Sequence, residues 1–377
     1  MRINQRMPLE SIEEALISVR DHLKYLLESP SSHGREALLK SVVRRWVPLG
    51  NGDYSKIAAV DGGSNSIYFS LGEVLFIASA SLFMRDTEPI RARKYQIGVL
   101  DDYYHQIRVR YCRETLEIKM LMKSLELDPE ILLLDGSMLA LVDRGDLATP
   151  YGYRPPYPLR EIIHRVTNYI GDLASGLTSI THDLRLNEEI DRIVEDSLLD
   201  LLGMEVRRDE VRRARAFVER YEALLTLEKL LRKVISLRNV TLVGISKRSS
   251  SRAYFNERIP DMEIVRRFIL ENGFLEPIEL RLEFPEFTGI ESSYPLTLTY
   301  TKLEKGSSPL RIEILGNADI DLVRGIISSL ANHSVRGYPY HLRIVHEMAK
   351  VGVDLLKHFT RNLMSPLGPV GREFLGE

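Results

Sequence analysis

Two short stretches carry the residues with the clearest chemical potential. In Lys56-Ile57-Ala58-Ala59-Val60-Asp61-Gly62-Gly63-Ser64-Asn65-Ser66 an apolar run ends on a carboxylate and breaks into glycine and small polar residues. Ile131-Leu132-Leu133-Leu134-Asp135-Gly136-Ser137 repeats that pattern. Read as buried strands, each delivers an Asp at its carboxyl end, and glycine lets backbone and ligand come close. If the strands are neighbours, Asp61 and Asp135 converge. Two converging carboxylates repel, and a divalent cation between them relieves the repulsion. Asp-Gly is also the commonest hairpin signal, so either copy alone reads equally as a turn. The second copy has no clear partner strand directly after it, which weakens the turn reading there.

Further donors lie elsewhere in the chain. The spacing predicts a helix over 102–127, with Val109, Cys112, Leu116 and Met120 on one face. It carries Glu114 and Glu117, three residues apart and so on a shared face. Leu116, Met120 and Leu121 surround Glu117 and place it nearer the buried arc. Alternatively, both glutamates pair on the surface with Arg110 and Arg113 four residues earlier, an interaction worth little. His346 lies in a helical stretch with Leu342 and Ala349 on its face, open to either a packing or a ligand role. Lys247 ends an apolar run beside Arg248, placed to hold a phosphate oxygen. Imidazole among carboxylates shifts metal preference from magnesium towards manganese.

The elements that must position these groups can be read in order. Helices are predicted over 8–28 and from Leu38 to Trp46, with a loop from Pro48 to Asp53. Strands follow at 57–61, 67–71 and 74–83, the last two separated by a Gly72-Glu73 hairpin loop, and 95–99 adds another. After the 102–127 helix comes the 131–135 strand. Tyr151 to Tyr157 reads as a linker. Residues 158–237 are helical almost throughout, a large insertion. Strands at 240–246, 296–301 and 310–315 and helices at 262–270, 319–332 and 340–359 complete the chain, with a loop from Pro285 to Pro295. The resulting division is 1–50 amino-terminal helices, 51–157 first part of a core, 158–237 helical insertion, and 238–377 second part of the core with the last helices.

Composition bounds the classes. The chain has 377 residues, 44% hydrophobic and 28% charged, with a net charge of −2. That describes a globular protein, and no apolar run approaches a membrane span. The start lacks the apolar core of a signal peptide, so the cytoplasm is expected. The single Cys112 excludes an internal disulfide and a cysteine zinc cage. The charge excludes bulk polyanion attraction, although Arg108, Arg110 and Arg113, then Arg207, Arg208, Arg212, Arg213 and Arg215, then Lys247, Arg248 and Arg252 cluster locally. The middle cluster reads as a solvated helix face.

The meander, helix and Asp-terminated strand follow the order of the ribonuclease H-like fold, in which the first and fourth strands lie side by side. The whole chain resembles the NurA family of archaeal and bacterial nucleases. The matching segments, in order, are AAVDGGS, RETLEIKML, LLLDGSM, VGISKRS and GYPYHLRIVHEMAK. The first departs from the family pattern in carrying Gly63 before Ser64. The resemblance implies an α/β ribonuclease H-like core, a mixed five- to six-stranded sheet flanked by helices. It implies manganese-dependent DNA cleavage by a two-metal site, with magnesium as the other candidate ion, and 5′-to-3′ polarity. It also implies a homodimer working with the HerA hexameric ATPase on single- and double-stranded DNA ends during resection for recombinational repair. Carried over, Asp61, Glu117 and Asp135 are the carboxylates, His346 the imidazole and Tyr338 an assisting aromatic, with Lys247 beside them. The helices near the amino end and over 158–237 exceed what the core needs, and are the expected dimer or motor surfaces.

Two other classes compete. A nucleotide-binding ATPase of the same core would show a G-x-x-x-x-G-K-[ST] loop, which the sequence lacks. A non-catalytic DNA-binding scaffold would keep basic surfaces without needing the acidic set.

Overall fold

The computed structural model describes residues 32–69, 72–85, 88–100, 104–143, 159–176, 184–202, 207–354 and 356–358. The helix expected over 8–28 and the linker expected over 151–157 lie outside them. Apart from a separate pair, Ser334–Val335 with Tyr338–Pro339, the described strands are β1 (Trp46–Val47), β2 (Lys56–Phe69), β3 (Gly72–Arg85), β4 (Glu88–Leu100), β5 (Ile131–Asp135), β6 (Thr241–Ser246), β7 (Gly273–Leu275), β8 (Ile278–Glu283), β9 (Ser293–Lys302) and β10 (Leu310–Leu315). Among the described residues these form one ten-stranded sheet in the order β1-β7-β9-β10-β6-β5-β2-β3-β4, with β8 also on β9. β5 runs parallel to both β2 and β6, and the other pairings are antiparallel.

The sheet is larger than the five to six strands expected. Trp46 belongs to a strand rather than to the end of a helix, and β7 and β8 are too short to carry a pattern of their own. Asp61 does not end its strand either. β2 continues through Gly62 and Gly63 to Phe69, because β3 keeps pairing with it past Asp61. The ladder overrides the local preference of two glycines to turn. The chain reverses between Phe69 and Gly72, so Gly72-Glu73 opens β3 and is not the hairpin loop.

The helices are α1 (Ser32–Arg44), α2 (His105–Ser124), α3 (Met138–Val142), α4 (Leu159–Ser175), α5 (Leu184–Leu202), α6 (Arg208–Leu237), α7 (Asp261–Phe268), α8 (Ile320–Asn332) and α9 (Tyr340–Ala349). Alternation along β2 sends Ala58 and Val60 to one face of the sheet and Ile57 and Ala59 to the other. The first face packs on α2 and α6 through Ile118, Leu121, Leu227 and Leu231. The second packs on α8 and α9 through Val323, Ile327, Leu342 and Val345. α4 and α5 lie on α6 through Ile163, Val166, Val194 and Leu198. α9 stops at Ala349, short of the helix expected to 359, because Lys350 turns extended and Gly352 follows.

Single members of two basic clusters turn inward in the fold, while Arg207 and Arg208 stay exposed as expected of a solvated helix face. Arg108 is buried and its guanidinium meets Glu219 on α6 at 2.8 Å. Arg215 is buried against Asp191 at 2.6 Å, and Lys119 against Glu222 at 3.0 Å. These residues therefore join helices rather than face solvent. Buried pairs are costly to break, so they fix how α2 lies on α6.

The adjacent glycines of β2 serve opposite faces. A Cβ at Gly62 would lie 2.2 Å from Glu117 Oε1, on the α2 side. One at Gly63 would lie 2.2 Å from the carbonyl oxygen of Ala349, at the end of α9. The two substitutions therefore differ in outcome. Gly63→Ala must push backbone aside and should cost about 1–3 kcal/mol, as overpacking does. Gly62→Ala meets the Glu117 side chain from Cγ to Oε1 rather than backbone, and should cost less than Gly63→Ala. Urea unfolding of the two variants ranks them, and equal midpoints would contradict this packing.

Candidate metal centre

β5 is an apolar run that stays buried until Asp135. Its register sets Val60 against Leu134, so the carboxylates that follow, Asp61 and Asp135, are side by side on the face covered by α9. Gly136 ends β5 at φ 152°, a conformation that favours glycine. Its amide donates to Leu134 and Ile245 carbonyls at 3.0 and 2.9 Å. Ser137 then caps α3 by accepting from the Ala140 amide.

α9 brings the imidazole. His346 Nδ1 lies 2.7 Å from Asp61 Oδ2, while the Gly62 amide donates to Asp61 Oδ1 at 2.7 Å. Among the described residues, Asp61, Asp135 and His346 offer ligand atoms all within 4.8 Å of one another. A single cation bonded at about 2.0–2.6 Å holds ligand atoms up to about 5 Å apart, so this donor set is compatible with one ion. Burial lifts the Asp61 carboxyl above its usual range. The charge of Asp135 adds to that lift, and His346 and the Gly62 amide oppose it.

Lys247, just past β6, pairs with Asp135 at 3.2 Å. Its ammonium also sits 4.1 Å from the centre of the Tyr338 ring. The buried Tyr338 hydroxyl lies beside Asp135. Burial, then the neighbouring Asp135 and Asp61, push its ionisation far above the ordinary phenol value. Tyr338 is thus held neutral.

Glu117 stands apart from this cluster. It comes from α2 on the opposite face and reaches β2 where Gly62 has no side chain. Burial pushes its carboxyl up to about 8. Arg113, at 3.3 Å, pulls the other way, and Asp61, Glu114 and Asp135 add to the rise. Glu114 instead faces α6, where Arg220 lies 3.7 Å away. The two glutamates left open by helical spacing are therefore separated by the fold. Neither glutamate lies on the surface, and Glu117 keeps the expected partner four residues earlier, the part-exposed Arg113.

The sequence reading missed Glu313 on β10. Fully buried, it accepts from Ser137 Oγ at 2.5 Å and from the Leu139 amide at 3.1 Å. Arg311 lies 2.7 Å from it. The available signal was two opposite charges at i and i+2 in a strand, Leu310-Arg311-Ile312-Glu313-Ile314-Leu315. Alternation there reads as a half-exposed strand, but both faces of β10 are buried.

Comparison with known proteins finds relatives and similar folds. Two of the relatives are the DNA double-strand break repair nuclease NurA of Saccharolobus solfataricus, 22% identical over 90% of each chain, and the probable DNA double-strand break repair nuclease NurA of Methanocaldococcus jannaschii, 22% identical over 90% of this chain and 86% of that one. The crystal structure of the NurA nuclease from Sulfolobus solfataricus superposes with a TM-score of 0.66 at 19% identity, covering 96% of this chain and 98% of the other. A NurA crystal structure with manganese gives 0.67 at 16% identity, covering 95% and 98%. Another, bound to dAMP and manganese, gives 0.59 at 15% identity, covering 93% and 94%. Residues 55–351, most of the chain and all of the cluster just described, match the NurA domain, and the chain belongs to the NurA family.

Proposed function

We propose that this protein is a manganese-dependent DNA nuclease of double-strand break repair. The observation that carries the reading is the convergence of Asp61, Asp135 and His346. The manganese and dAMP of related NurA structures support the choice of ion and substrate. The order β4-β3-β2-β5-β6, an antiparallel meander followed by two parallel strands, supports a ribonuclease H-like core.

Asp61, Asp135 and His346 would hold the cation. Glu117 adds a carboxylate from the far side of β2 once it gives up its proton, which spreads the donors as a two-ion site requires. A bound ion would supply Lewis acidity at the phosphate and lower the pKa of a water. Lys247 holds a phosphate oxygen, and Tyr338 fixes Lys247 from below through its ring face. Arg248 and Arg252, exposed in the following loop, contact neighbouring phosphates without reading sequence. The homodimer, the HerA-type hexameric ATPase and 5′-to-3′ digestion enter this reading from the family resemblance.

Cleavage of an end-labelled single strand in manganese tests the reading. Asp61→Asn and Asp135→Asn should each lower the rate by at least about 100-fold, the upper end of what loss of an outer-shell partner costs. Both variants should keep their circular dichroism, since removing one of two repelling carboxylates relieves strain without the ion. Wild-type protein that leaves the strand intact sinks the proposal.

His346→Ala should raise the manganese concentration for half-maximal cleavage while leaving DNA affinity in place. An unchanged manganese requirement would return His346 to packing.

Glu117 also predicts a pH effect. Its folded value is raised from 4.5 to about 8. Below 4.5 both folded and unfolded chains hold the proton. Between 4.5 and about 8 the folded chain retains it more than the unfolded one, so stability falls as pH rises through that window. With a chelator present, urea midpoints should drop from pH 5 to pH 8, and Glu117→Gln should flatten the drop. An equal drop in the variant would refute the assignment.

A further inference from the structure

Glu313 and Arg311 lie outside the cluster but are built into its support. Glu313 sits opposite Gly244 in the β10–β6 pairing. A Cβ at Gly244 would lie 2.8 Å from the Gly136 carbonyl, so the chain after Asp135 presses on this strand where β6 has no side chain. Both oxygens of Glu313 are used on that segment, one by Ser137 Oγ at 2.5 Å and one by the Leu139 amide at 3.1 Å. Arg311 Nη2 holds Glu313 at 2.7 Å, and its Nη1 donates to Ser249 Oγ at 3.1 Å in the loop that follows Lys247. One buried ion pair thereby grips the turn after Asp135 and the basic loop after β6. At the far end of α3, Arg220 donates to the Leu141 carbonyl, so the helix after Asp135 is held at both ends.

We propose that Glu313 is a positioning residue for the metal centre, setting the direction of Asp135 through Ser137 and, with Arg311, the position of the Lys247 loop. The charge of Glu313 meets no substrate. Its carboxylate takes the Ser137 hydroxyl and the Leu139 amide, the latter a first-turn donor of α3 with no helical partner, and so fixes the turn that follows Asp135. The inference rests on Asp135 being a ligand.

The test is manganese binding by calorimetry on metal-free full-length protein, alongside cleavage. Glu313→Gln should weaken manganese binding by about 10–100-fold, the range for outer-shell partners of metal ligands. Affinity for an uncut DNA strand in chelator should stay within about twofold. Glu313→Gln leaves Arg311 buried beside a neutral group and could unfold. Ser137→Ala removes the hydroxyl that meets Glu313, and its cap on the Ala140 amide, while leaving the Arg311–Glu313 pair in place. Where both fold, the double variant should fall short of the sum of the two single effects, because the Ser137–Glu313 hydrogen bond is shared between them. A residue that only stabilises the sheet would lower the urea midpoint and leave manganese binding untouched. Wild-type binding in the Ser137→Ala variant overturns the inference alone. Wild-type protein that fails to bind manganese overturns the metal-centre reading and this inference together.

Discussion

Like charges held at close range are the constraint around which this fold is arranged. Parallel pairing of β2 with β5 leaves Asp61 and Asp135 side by side after two buried runs, Asp61 buried and Asp135 half-buried, where water screens them only in part. Each nearby group answers that field. His346 and the Gly62 amide occupy the two oxygens of Asp61, and Lys247 sits on Asp135. Glu117, the third acid, is kept largely protonated at neutral pH by its burial. The metal-free protein thus stores electrostatic repulsion that a cation would relieve, and ion binding and folding stability are linked.

The two faces of β2 carry different acids. The face under α9 holds the aspartates and the imidazole, and the face under α2 meets Glu117. A continuous strand would wall these off from each other. Two successive residues without side chains make it thin, Gly62 for the acid of α2 and Gly63 for the end of α9. The position of Glu117 then depends on how α2 is seated, which the buried pairs with α6 determine.

Much of this was legible in sequence where local pattern and burial agree. An apolar run closing on Asp-Gly specifies a buried strand with an acid at its edge, and that pattern found Asp61 and Asp135. Hydrophobic neighbours turned Glu117 rather than Glu114 towards the sheet. What stayed hidden was set by distant partners. Arg108 and Arg215 read as members of basic patches because nothing nearby marks Glu219, 111 residues beyond Arg108, as a buried partner. The strand break expected after Asp61 was overruled by β3, and the glycines kept for approach looked like glycines kept for turning. Glu313 was invisible because alternating charge means exposure on an edge strand, and pairing on a central one.

The ion pairs between α2 and α6 also constrain how this sequence can drift. Replacing Lys119 takes a buried cation from Glu222, and replacing Arg108 takes one of two from Glu219, which also meets Arg215 at 3.3 Å. Losing one partner of such a pair costs about 3–5 kcal/mol, a large part of the stability of an ordinary domain. Exchange of both partners for apolar residues is often neutral. Lineages can therefore leave this arrangement only through coupled substitutions more than a hundred positions apart, and the helix that carries Glu117 inherits that restraint on its ancestry.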